Sequence, residues 1–212
     1  MAVTIKSERE IELMRKSCQI LAKVHDELGK AIEPGMSTLD IDRLGEKLIR
    51  GYGCIPNFLH YNGYPASVCV SVNDEVVHGI PRADRILQEG DIVSLDAGLI
   101  YKGYHSDAAR TYGVGKISHE AQQLIDETRN SFFEGIKKAK AGNHLHDISN
   151  TIDAYISKFG YGIVRGIDGE VGHFVCVQIA TIQDIKLHCG HIGQQEVLGA
   201  DSNFDGRSSS LH

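Results

Sequence analysis

The sequence has 212 residues, 42% of them hydrophobic and 24% charged, with a formal net charge of −6. That length suits one domain or two fused halves, and the composition excludes collagen-like, coiled-coil and wholly disordered chains. Mild acidity argues against a dedicated nucleic-acid binder, which needs clustered cations to neutralise phosphates.

Met1 to Lys6 lacks the apolar core of a signal peptide, and no apolar run approaches the ~20 residues of a membrane span. Cys18, Cys54, Cys69, Cys176 and Cys189 are scattered and form no CxxC pair, which argues against a zinc knuckle or a disulfide framework. These features together predict a cytoplasmic protein with reduced thiols and no membrane partner.

Ser7-Glu8-Arg9-Glu10 is a capping box, in which Ser7 caps a helix start and Glu10 reaches back to it. Ile11, Met14, Ile20, Leu21, Val24 and Leu28 follow at helical spacing until Glu33-Pro34-Gly35 stops the run. A second helix is predicted from Leu39 to Arg50. Short β-type runs follow at Val68–Val72, Val76-Val77 and Ile92–Leu95, broken by Gly, Asn and Asp. Helices return at Ser118–Lys140 and Asp147–Phe159.

Gly35–Ile41 and Gly142–Ile148 align at an offset of 107 residues, with Asp40-Ile41 matching Asp147-Ile148. Each leads into a helix that closes on Tyr-Gly, at Tyr52-Gly53 and Tyr161-Gly162. Two readings stay open: a duplicated unit with pseudo-equivalent halves, or two amphipathic helix pairs alike by chance.

The chemistry-bearing stretch is Val72–Pro81, then Asp91–Gly98, then Tyr104–Thr111. Asp96 interrupts an apolar strand, and Gly98 follows it where a hairpin can turn. Asp107 would lie on the return strand, beside Asp96. Close carboxylates repel unless they share a proton or a cation, and carboxylate oxygens suit divalent ions. On spacing alone the alternatives are a metal pair, or a turn residue and an unrelated surface acid. His78 is either a loop histidine or a participant in the chemistry. His105, two residues before Asp107, shares its strand face and is a rival ligand.

His78-Gly79-Ile80-Pro81, Asp91–Asp96 and His105–Thr111 resemble the core of type I methionine aminopeptidases. Tyr61–Pro65, Ser67–Asn73, Pro34–Thr38 and Tyr161–Arg165 also match, in the family's order, so the resemblance covers about residues 3–165. It implies an α/β pita-bread fold: pseudo-symmetric halves around a curved antiparallel sheet. It also implies a metalloaminopeptidase that hydrolyses the initiator methionine from nascent polypeptide N-termini, in the cytoplasm and without nucleic acid.

The resemblance implies two divalent metal ions per site (Co, Mn, Fe or Zn). Asp96 would bind one through both oxygens and Asp107 would bridge the two. His78 would hydrogen-bond the substrate and stabilise the tetrahedral intermediate. Tyr61, Tyr64 and Cys69 would line the methionine pocket, whose aromatic and sulfur walls suit a polarizable thioether. Asn62 departs from the histidine common in the family.

After Arg165 the family pattern is lost. The chain therefore divides into a methionine-aminopeptidase-like region, 1–165, and a divergent or truncated segment, 166–212, which leaves the second half incomplete. A change of reading frame or an alternative exon is one account of that boundary. Glu170 stands where the family has a ligand histidine, and Gly172-His173 and Gly190-His191 are imperfect echoes of that motif. The alternative functions are a catalytically inactive pita-bread binding module or truncated isoform, and an Xaa-Pro aminopeptidase.

Overall fold

A computed structural model of the chain describes residues 5–163 and the backbone of 179–181. His173, His191, Glu170, Cys176 and Cys189 lie outside the described residues, as does the boundary expected at 165/166. The chain divides into two compact units at Ile117/Ser118.

The first unit opens with α1 (Glu8–Ala31), capped as its sequence predicts. The Ser7 hydroxyl accepts from the Glu10 amide at 3.4 Å, and Glu10 accepts from the Ser7 amide at 2.8 Å. Such a cap contributes about 1 kcal/mol. The second helix, α2 (Thr38–Gly51), starts with the same device built from Ser37 and Asp40. Four strands follow: β1 (Ile55–Pro56), β2 (Val68–Val72), β3 (Ile92–Tyr101) and β4 (Tyr104–Gly113). All pair antiparallel with β3; β4 runs the length of one edge, while β2 and β1 follow each other along the other.

Alternation gives this sheet two unlike faces. Val68, Val70 and Val72 of β2 lie opposite Ala97, Leu95 and Val93 of β3 and are buried with them. Ile20, Leu21, Val24 and Leu28 of α1, with Ile41 and Ile49 of α2, join the same core. The residues between them, at period two, point the other way. That second face carries Cys69 opposite Asp96 and Ser71 opposite Ser94, continued on β4 by Asp107, Ala109 and Thr111.

Two expectations from the sequence need correction. The β3–β4 hairpin turns at Lys102-Gly103, both at positive φ (49° and 85°), and not at Gly98. Positive φ at both central residues matches the right-handed twist of the flanking strands. Gly98 sits inside β3 because the chain after β1 closes over it: a Cβ there would meet Asn57 Cβ at 2.9 Å and Phe58 Cε1 at 3.1 Å. Val76-Val77 forms no strand. The chain turns at Asn73 (φ 57°), and the Glu75 carboxylate takes the Val72 amide at 2.8 Å, which ends β2.

The second unit contains α3 (His119–Ile136), α4 (Leu145–Ile156), β5 (Tyr161–Ile163) and β6 (Ile179–Thr181), the last two paired antiparallel. Ile152 and Ile156 form its small core with Leu124, Ile148, Tyr155, Tyr161 and Ile163 around them. Local detail repeats at the predicted offset. Gly35 and Gly142 have φ of 93° and 92°. Asp40 and Asp147 each accept a backbone amide, from Ser37 and His144, at 3.2 and 2.8 Å. These correspondences favour the duplicated-unit reading over chance. Among the described residues no helix is long and apolar enough to cross a membrane.

Candidate metal and substrate site

The second face of the first unit's sheet brings the predicted residues together. Asp96 pairs across the ladder with Ala109 on one side and Cys69 on the other. Asp107 pairs with Gly98. Gly98 is two residues from Asp96 on the same face, so the two carboxylates are diagonal neighbours, a separation that side chains bridge. At that separation the two carboxyls interact directly, and two close carboxyls escape repulsion by sharing a proton or a cation.

The electrostatics follow from that contact. Burial and the charge of Asp107 push the Asp96 carboxyl well above the usual range. Asp107 is raised as well, by burial, against the opposing pull of its bond to Asp96 and of nearby His78. Asp107 as a whole residue keeps more surface in solvent than half-buried Asp96, although its carboxyl end is enclosed. Asp96 is accordingly the proton-holding member of a pair that titrates as a unit.

His78 reaches this neighbourhood from a left-handed backbone position, φ 56°. A β-carbon makes that conformation costly, and such positions persist where packing enforces them. The enforcement comes from Gly79, whose carbonyl accepts from the Val70 amide at 2.9 Å and whose amide donates to Ser71 Oγ at 3.1 Å. A Cβ on Gly79 would lie 2.2 Å from the Val70 carbonyl oxygen.

Tyr64 and Cys69 form the adjoining wall. Cys69 is buried, 5% exposed, and like Cys18 and Cys54 it takes part in no disulfide. The Tyr64 hydroxyl donates toward the carbonyls of Gly79 at 3.2 Å and Val68 at 3.4 Å. Burial raises the Tyr64 phenol, with further contributions from Cys69, Asp42 and Asp96, so it stays a neutral donor. Tyr61 stands on the same segment, in the 3₁₀ turn Tyr61–Gly63, and remains 37% exposed. Asn62 occupies a left-handed position there, φ 46° and ψ 32°. Asn tolerates that region better than other non-glycine residues.

His105 shares the face of Asp107, but its Nδ1 donates to Asn57 Oδ1 at 2.7 Å. Among the described residues no group of three or more His, Cys, Asp or Glu side chains is arranged to hold a metal, so His105 does not complete a set with the aspartates. The pair still fits a divalent cation as part of a ligand set. It offers hard oxygen donors and a shared proton that a cation can replace. Asn57 and Phe58 were not singled out from the sequence. Phe58 lies in the connection after β1 and is buried at 5% against Gly98.

The comparisons with known proteins agree with this geometry. The model of metallopeptidase family M24 matches residues 12–198. The methionine aminopeptidase of Clostridium acetobutylicum is 50% identical over 171 residues, covering 81% of this chain and 67% of that one. The crystal structure of methionine aminopeptidase from Thermotoga maritima superposes with a TM-score of 0.75 at 37% identity, over 77% of this chain and 66% of that one. An Xaa-Pro dipeptidase from Bacillus anthracis gives a TM-score of 0.63 at 26% identity, over 74% and 43% of the two chains. The chain thus spans about two thirds of the length of the methionine aminopeptidases it matches, and its fold class is the α/β pita-bread type that they share. This chain belongs to metallopeptidase family M24, on its methionine aminopeptidase branch.

Proposed function

We propose that this chain hydrolyses the N-terminal methionine from nascent polypeptides in the cytoplasm, with two divalent ions (Co, Mn, Fe or Zn) held at Asp96 and Asp107. The observation that carries the reading is the carboxyl pair on one sheet face, beside buried Cys69 and half-buried Tyr64. Asp96 and Asp107 would hold the ions, once the shared proton has left. The chemistry that divalent ions supply when bound is water activation and polarisation of the scissile carbonyl. His78 hydrogen-bonds the substrate and the oxyanion that develops from it. Tyr61, Tyr64 and Cys69 enclose the thioether side chain; a sulfur-and-aromatic wall favours methionine over smaller or charged residues.

The test is methionine release from a Met-Ala peptide by the folded chain with added Mn²⁺ or Co²⁺, against an Asp107→Asn control and an Ala-Pro peptide. Release from Met-Ala alone, abolished by the substitution, is the expected result. Cleavage of Ala-Pro instead would assign Xaa-Pro specificity. Binding of Met-Ala without turnover would make the chain a non-catalytic member of its family.

A further inference from the structure

We infer that His105 is a positioning residue, which latches the 57–64 segment onto the hairpin that carries Asp96 and Asp107. This rests on the proposed methionine pocket and adds a residue to its machinery.

The segment needs an anchor. Between Phe58 and Tyr64 it holds three residues at positive φ, His60 (66°), Asn62 (46°) and Gly63 (83°), two of which carry a β-carbon. Its internal ties are short-range: the Tyr61 amide to the Phe58 carbonyl at 2.9 Å, the Tyr64 amide to Tyr61 at 2.9 Å, and the His60 amide to Tyr64 at 2.8 Å. Such bonds fix the shape of the turn; the Tyr64 hydroxyl, toward the Gly79 and Val68 carbonyls, ties down its far end, and its near end is held at Asn57.

Three features at Asn57 supply the position. Its amide donates to the Gly98 carbonyl at 2.9 Å. Its side chain packs over Gly98, where a Cβ would come within 2.9 Å of Asn57 Cβ. Its Oδ1 accepts from His105 Nδ1 at 2.7 Å. Gly98 and His105 flank the residue in question: Gly98 is the cross-strand partner of Asp107, and His105 precedes Asp107 by one step on the same face. The latch therefore joins the wall formed by Tyr61 and Tyr64 to the strand pair bearing the carboxylates. An amide oxygen only accepts, so Nδ1 carries the hydrogen and the ring orientation is fixed.

The experiment uses the full chain with His105→Ala, His105→Asn and Asn57→Ala. Asn at 105 returns an N–H donor near the Nδ1 position. Two quantities are read: KM and kcat for Met-Ala, and hydrogen exchange of the 58–64 amides relative to those of β2. His105→Ala is expected to raise KM about threefold to tenfold, the weight of one partly solvated hydrogen bond. kcat should stay within about twofold, and the 58–64 amides should exchange faster while β2 does not. Asn57→Ala should reproduce this, His105→Asn should reverse it, and the double alanine variant should be no worse than either single one. Unchanged KM and exchange in His105→Ala would overturn the latch, as would a fall in kcat alone. Faster exchange throughout β2 would also overturn it, by showing a global role. If the unsubstituted chain shows no turnover, the proposed function fails, while the exchange comparison still decides the latch.

Discussion

Asp107 stands opposite Gly98 across the β3–β4 ladder, one diagonal step from Asp96. This single register relation sets the chemistry of the site. A slip of one residue would send Asp107 to the helix-covered face, where its neighbours Ser106 and Ala108 already pack.

The first prediction concerns competition between protons and metal. Both carboxyls are raised, Asp96 through burial and the charge of Asp107, and Asp107 through burial. A carboxyl raised in the folded state contributes stability below its unfolded pKa and loses it as pH rises through the folded value. Without metal, the pair therefore weakens the fold on the neutral side. Asp96→Asn should raise the metal-free melting temperature at neutral pH by about 2–4 °C, for a gain near 1 kcal/mol. On the proposed ligand set, the same substitution should cut Mn²⁺ affinity at least about tenfold. Calorimetric melting and metal titration check both. Equal melting temperatures would mean that the pair carries no electrostatic strain.

A second prediction concerns Gly79. Its backbone passes so close to β2 that a Cβ would lie 2.2 Å from the Val70 oxygen and 2.7 Å from the Val70 carbonyl carbon. Those are backbone atoms of a fully buried strand and cannot rotate aside. Gly79→Ala should cost about 3 kcal/mol, the upper end for overpacking. It should also displace His78, so activity should fall more than the loss of folded protein explains. A denaturant melt alongside activity per folded molecule separates the two effects.

A third prediction uses His25, fully buried on α1 with its Nε2 2.8 Å from the Ala108 carbonyl. Burial, aided by the Arg110 charge, depresses its pKa from 6.5 to about 4, while the Ala108 bond and Asp26 oppose the shift. The folded chain thus excludes a proton that the unfolded chain binds. Stability is unaffected above pH 6.5 and falls as pH drops from there to about 4, by about 3 kcal/mol in all. His25→Gln keeps an N–H for Ala108 and cannot titrate, so its melting temperature should fall less between pH 7 and pH 4.5. Parallel pH profiles would refute the buried-neutral assignment.

The sequence made much of this legible, for identifiable reasons. α1 and α2 announced themselves because Ser7/Glu10 and Ser37/Asp40 are local devices, satisfied within one turn of helix. Asp96 stood out because charge within an apolar strand is expensive and so conspicuous, Asp107 because its spacing puts it on the return strand, and His78 through the His-Gly-Ile-Pro motif of the family it resembles. Gly98 misled because a glycine serves equally for a turn or for a close approach, and the approach of Asn57 and Phe58 comes from 40 residues away. The true turn, Lys102-Gly103, carries a lysine at its first left-handed position, where Asn or Asp is the usual signal. The His105–Asn57 bond spans 48 positions and leaves no local trace.

The internal repeat yields the last prediction. Gly35 and Gly142 precede α2 and α4 at φ of 93° and 92°, and neither would bring a new Cβ within 4 Å of anything. Their substitution cost is therefore conformational alone, about 1 kcal/mol for alanine in the left-handed region. Gly35→Ala and Gly142→Ala should destabilise by equal amounts, and Asn at either position by less. The comparison is read as the loss of stability in denaturant melts, with each unit followed by the exchange of its own helix amides. Equal costs would mean that both units use this glycine for the same backbone task, as a duplicated helix–helix–strand unit requires. A cost at Gly35 with none at Gly142 would mean that the second unit has lost that constraint, leaving its likeness to the first in pattern only.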